Sequence, residues 1–279
     1  MRERETHIDL LPDTRNLLNK VEDISRHHIR LIPDSSLELA PAKVRVARQP
    51  IDAHEIRFHP EDPQSVDHLI AHECGHLFRT WSAPPQERYL AVVGSEERSA
   101  AQSKLQSHLE HLRQAGLSDT RIRQVLDTWH LGTVRQLTNA VADLRIEQWI
   151  YNEYPMLRES QRHSIQRILQ DYVSILTDAH TRTTPPAVRK ANSELNVAAA
   201  HQYARLFCDR SFLDRYSLLV AYRGGRLLSQ ALGHPDPGHR GDCDLTDQWA
   251  KRYGLRDWYR WIALDQVGNF GEVSDFRKI

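Results

Sequence analysis

The stretch His54-Glu-Ile-Arg-Phe-His59, a turn through Pro60-Glu-Asp-Pro63, and then Ser65-Val-Asp-His-Leu-Ile-Ala-His72-Glu73-Cys74-Gly75-His76-Leu-Phe78 carries the reading of this chain. The first six residues alternate apolar and polar, as a strand does, and Pro60 and Pro63 end that pattern in a turn. From Ser65, a capping residue type, the apolar residues Val66, Leu69, Ile70, Leu77 and Phe78 recur at helical spacing, which predicts a helix to about Trp81. On such a helix His72 and His76 stand one turn apart on one side, so their imidazoles can share one metal ion. Neutral imidazole suits Zn2+, and a two-histidine site needs one more oxygen ligand to leave a position open for water. Glu73, beside the first histidine, is then placed to act as general base on that water.

Upstream, Leu17, Leu18, Val21 and Ile24 predict a helix near 14 to 28, and alternation through Leu37, Leu39, Val44, Val46, Ile56 and Phe58 predicts two or three short strands. Downstream, helices are expected near 96–115, 118–130, 133–152, 158–180 and 187–208, bounded by Gly, Pro or Asn/Asp/Ser signals. The last seventy residues read as less regular, with a long turn-rich stretch from Leu232 to Asp242 that suits a lid or a surface loop. Lys251 to Trp261 reads as an amphipathic helix with snorkelling arginines rather than a nucleic-acid patch. The expected fold is α+β, predominantly helical, with a small β-sheet beside the motif helix and a helical C-terminal half. The prolines at 185 and 186 suggest a division into residues 1–180 and 181–279.

A third ligand has to come from outside the motif. Asn139, Asp143 and Glu147 stand at i, i+4 and i+8 among the apolar Val141, Leu144, Ile146 and Ile150, an acidic stripe poorly explained as a solvated face. The segment with Glu96 and Glu97 competes with this stripe for the role. Here the chain resembles the broad His-Glu-x-x-His zinc metallopeptidase group, zincin-like or gluzincin-like, over about residues 50 to 155. The Asn-x-x-Ala-Asp-x-x-Ile-Glu string looks like patterns on the second helix of several such families, in which a carboxylate reaches the metal. This chain has Asn139 where many carry a ligand Glu. Glu96 lies near the spacing of thermolysin-like enzymes; on the resemblance Asp143 is the first choice of third ligand, Glu147 the second, and Glu96 or Glu97 the third. The resemblance implies a zincin-like catalytic core, Zn2+ as cofactor and hydrolysis of a peptide bond in a protein or peptide substrate.

Composition narrows the alternatives. Lys plus Arg and Asp plus Glu both number 37, so no net field attracts nucleic acid or an anionic membrane. No apolar run approaches membrane-spanning length and the first ten residues carry charges of both signs, which predicts a cytoplasmic protein. Three dispersed cysteines imply neither a disulfide framework nor a cysteine zinc knuckle. Neither a Gly-x-Ser-x-Gly elbow nor a phosphate loop occurs. Of the sixteen histidines, His54, His59, His68, His130, His234 and His239 could in principle join the site, although a lone histidine is usually a satisfied packing group. Tyr151 and Tyr154 could offer a phenol to an oxyanion, but packing is their commoner role. Two other functions share this sequence signature: a metal-stabilised binding or regulatory protein, and a zinc hydrolase acting on a non-peptide bond.

Overall fold

A computed structural model describes residues 9–37, 41–48, 52–177, 183–233 and 236–269, without the side chains of 172–177 and 268–269. The protein is predominantly helical with a small amount of sheet. Among the described residues no helix is long and apolar enough to cross a membrane. Helix α1 (Pro12–Ser25) opens on a proline and closes at Arg26, whose φ of 60° ends it earlier than periodicity suggests. Strands β1 (Ile29–Pro33), β2 (Ala42–Arg45) and β3 (His54–Phe58) form one sheet in the order β1-β3-β2, with β1 parallel and β2 antiparallel to β3. Strand β3 is therefore the central strand, and β1 pairs where the sequence pattern suggested no strand. Leu39 and His234 lie outside the described residues, as do residues 178–180 at the end of the fifth expected helix.

The motif helix α2 (Pro63–Ser82) begins two residues before Ser65, because proline is well suited to the first helical position. Ser65 lies inside the first turn, its hydroxyl donating to Asp62 Oδ2 at 2.5 Å. Beyond β4 (Tyr89–Val92) and α3 (Ser95–Gln114), the two helices expected from 118 to 152 are one, α4 (Asp119–Glu153). Gly132 does not interrupt it, since Trp129, His130, Thr133 and Val134 on either side are all buried and the packing carries the helix through. Helices α5 (Arg158–Thr177), α6 (Pro186–Leu206), α7 (Tyr222–Ala231) and α8 (Gly238–Tyr253) come next along the chain. The expected helix from 251 to 261 stops at Gly254 in a left-handed conformation, and β5 (Arg260–Ala263) instead pairs antiparallel with β4.

Among the described residues two large apolar cores result, beside a small cluster of Leu90, Val92, Ile262 and Val267 at the β4–β5 pair. One joins α1, the three-stranded sheet and α2 through Leu17, Val21, Val44, Ile56, Phe58, Ile70 and Leu77. The other joins α3, α4, α6, α7 and α8, and draws on residues on both sides of 181. Helix α4 belongs to both: Leu137, Val141 and Leu144 pack in the second core, Ile146 and Ile150 in the first. Asp143 and Glu147 stand at this changeover, where α4 crosses α2.

Candidate metal centre

The crossing of α2 and α4 is close because Gly75 has no side chain. A Cβ there would collide with the side chain of Ile146, so the glycine between the two histidines lets α4 lie against α2. One turn farther, Phe78 and Trp149 stack with centroids 4.8 Å apart and planes 11° from parallel, fixing how the helices cross.

This approach delivers Asp143 to the histidine pair. His76 Nε2 and His72 Nε2 are 3.2 Å apart, and Asp143 Oδ1 lies 3.1 Å from the first and 3.5 Å from the second. Three ligands of one tetrahedral ion, each about 2.0–2.1 Å from it, are separated by about 3.3 Å, so these three groups are spaced to hold a small metal ion. Asp143 Oδ1 is buried yet accepts no hydrogen bond of good geometry among the described residues. A carboxylate oxygen converging on two ring nitrogens suits a shared cation. Burial opposes ionisation of Asp143, but the rings of His72 and His76 outweigh it and hold the carboxyl below its ordinary range. The Asp143 side chain is 34% exposed and that of His72 19%, so solvent reaches the cluster.

Glu147 meets His72 on its other nitrogen. Its Oε1 lies 2.7 Å from His72 Nδ1, both oxygens lie within 3.0 Å of His68 Nε2, and Gln161 Nε2 donates to Oε2 at 2.6 Å. His68, His72 and Glu147 also lie close enough together to hold a cation. Their separations are hydrogen-bond lengths, however, shorter than those between ligands of one ion, and three donors already surround the carboxylate. Glu147 thus holds the Nδ1–H of His72, which directs the Nε2 lone pair at Asp143 and His76; the tautomer is assigned from this network. Burial would raise the carboxyl of Glu147, but His68 and His72 hold it far below the usual range.

Glu73 is buried, 8% exposed, and accepts a hydrogen bond from the backbone N–H of Val44 on the edge strand β2. Burial pushes its carboxyl above the ordinary value against the pull of His76 and His72. Glu96 and Glu97 are elsewhere: both bind Arg260, and Glu97 closes the first turn of α3 on Gly94 N at 2.7 Å. Cys74 is buried in the apolar core around α2.

Of the other described histidines, His68 alone enters the cluster network. His54 packs edge-on against Trp81, His59 Nδ1 accepts from Glu61 N, His130 contacts the Trp258 carbonyl and His239 the backbone of Tyr89. Tyr154 packs against Trp149, and Tyr151 against Phe207. Sequence reasoning gave His68 no more weight than the other histidines, although its position one turn before His72 marked the face; Gln161, on α5, left no local signal. No protein-family model, curated protein or solved structure matches the chain.

Proposed function

We propose that this chain is a zinc-dependent peptidase of the His-Glu-x-x-His type with a zincin-like core, in which His72, His76 and Asp143 hold the ion. The observation that carries the reading is the Nε2–Nε2–Oδ1 triangle with sides of 3.1, 3.2 and 3.5 Å. Among the described residues no fourth side chain joins these three, as a closed structural site would need. When bound, Zn2+ with three protein ligands supplies Lewis acidity, polarising a carbonyl and acidifying water at its open coordination position.

The protein's own groups do the rest. Glu147 and His68 keep the His72 ring in one orientation, and Gln161 keeps Glu147 in place. Glu73, its carboxyl raised above the ordinary value by burial, takes a proton from water and returns it to the departing amine. The Val44 N–H holds the Glu73 carboxylate and ties it to β2. Elemental analysis of protein purified without chelator tests the reading, with His72→Ala and Asp143→Ala in parallel. One zinc per chain in wild type, lost in His72→Ala and lost or weakened in Asp143→Ala, is expected. Absence of stoichiometric zinc after the metal is offered back overturns it.

A further inference from the structure

The two helices that carry the cluster each send one arginine to the same aspartate. Arg79 stands one turn beyond His76 on α2, and Arg145 two residues beyond Asp143 on α4. Both donate to Asp242, 4% exposed in the first turns of α8: Arg79 through Nε at 2.6 Å, Arg145 through Nη1. Arg145 Nη2 also donates to the Leu232 carbonyl at 2.9 Å. Asp242 is therefore a fixed, buried counter-charge that immobilises the Nε side of Arg79.

The other side of Arg79 is used differently. Nη1 and Nη2 make parallel hydrogen bonds of 2.7 and 2.9 Å to the two oxygens of Asp236, the fork geometry by which a guanidinium recognises a carboxylate. Asp236 is exposed, its side chain at 45%, and lies two residues before Gly238, with φ +73° and open space where a Cβ would stand. Burial works against the charge on Asp236, but Arg79 holds its carboxyl at about 2. Two arginines and two aspartates balance; without Asp236 one positive charge is left, presented by a rigid fork. The fork adjoins the cluster: His239, on the first turn of α8, lies within range of the charges of Asp242, Arg79 and His76 together.

We propose that the Nη edge of Arg79 is a carboxylate-binding subsite on the rim of the metal centre, and that Asp236 occupies it in cis until a carboxylate ligand displaces it. The geometry stands without the peptidase reading; its purpose, selecting acidic peptides, rests on that reading. The carboxylate has two sources, a peptide C-terminus or an acidic side chain. Calorimetric titration of the full chain with acetyl-Gly-Gly-Ala as free acid, the same peptide as C-terminal amide, and acetyl-Gly-Gly-Glu with an amidated C-terminus separates them.

In Asp236→Asn, the internal competitor is gone and at least one of the two carboxylate peptides should bind about tenfold more tightly than to wild type. The neutral amide should not gain. Adding Arg79→Gln should abolish the gain. Arg79→Lys, which keeps the charge and loses the fork, should weaken acid binding in the Asp236 background and gives a reading independent of the loop variant. Equal binding of acids and neutral amide, or an acid affinity unchanged by both Asp236→Asn and Arg79→Lys, overturns the subsite. Zinc content is measured on the same samples: discrimination without zinc leaves the subsite standing and removes the peptidase, whereas zinc without discrimination does the reverse.

Discussion

Ile146 fills the space that a side chain at Gly75 would occupy, and this shared volume sets how near Asp143 comes to His72 and His76. Gly75→Ala should therefore act at a distance from the ligands. Overpacking of this kind costs about 1–3 kcal/mol. Thermal unfolding should show the midpoint falling by several degrees, and zinc competition against a chelator should show weaker affinity, because the ligand triangle opens. A variant as stable and as tight as wild type would mean that the crossing tolerates a methyl group.

Glu147→Gln keeps the shape of the side chain and removes its charge. The amide oxygen can still accept, but its NH2 must face a histidine or Gln161 donor, so His72 loses its orientation. Zinc affinity should drop about 10–100-fold, as is usual when the partner of a ligand histidine is removed. An unchanged affinity would show that Glu147 serves packing alone.

Glu73→Gln separates metal binding from chemistry. Zinc content should equal that of wild type, and hydrolysis of any substrate found should fall by about 10^2–10^4-fold, the contribution expected of a general base. Hydrolysis at the wild-type rate in this variant contradicts the role given to Glu73.

At His72 a proton would compete with the proposed cation. Burial disfavours its charge, but Asp143 and Glu147 on its two nitrogens more than offset this and keep the ring protonated well above the ordinary histidine range in metal-free protein. The stability this lends the metal-free fold is complete below about pH 6.5 and is lost as pH rises through the raised value. Zinc should accordingly bind more tightly at pH 8 than at pH 6 and release close to one proton at pH 7, measured by calorimetry in buffers of different ionisation enthalpy. Binding without proton release would be inconsistent with this coupling.

His54 titrates in the opposite sense. Its Nδ1 accepts a hydrogen bond from Ala47 N at 2.9 Å, and burial, with a smaller contribution from His27, depresses it to about 4. Between pH 6.5 and 4 the unfolded chain binds this proton and the folded one does not, so stability falls as pH drops, by roughly 3 kcal/mol in all. Denaturant titrations from pH 7 to 4 should show this decline, and His54→Asn, which retains an acceptor but does not titrate, should flatten it. Parallel declines in the two proteins would place the acid sensitivity elsewhere.

Local spacing carried the sequence reading as far as single helices. His72 and His76 at i and i+4, and Asp143 and Glu147 at the same interval, are legible because each pair shares a helix face. Which nitrogen of His72 each carboxylate meets depends on the crossing of α2 and α4, decided by Gly75 and Ile146, seventy-one positions apart, and no local pattern records it. Gly132 read as a break because glycine lowers helix propensity, yet burial on both sides overrides the single residue. Strands β4 and β5 pair Tyr89 with Ala263 across most of the chain, which periodicity cannot foresee. The convergence of Arg79 and Arg145 on Asp242 is hidden for the same reason.

The position of Asp143 where α4 passes from one apolar core to the other has a consequence for cooperativity. The proposed cation, held by α2 and α4 at that seam, would fasten the two cores like a rivet, so that neither half could open by itself without surrendering a ligand. Metal loading should then merge two opening events into one, and hydrogen exchange at Leu137 and Ile150, on opposite sides of the seam, should slow by the same factor when zinc is added.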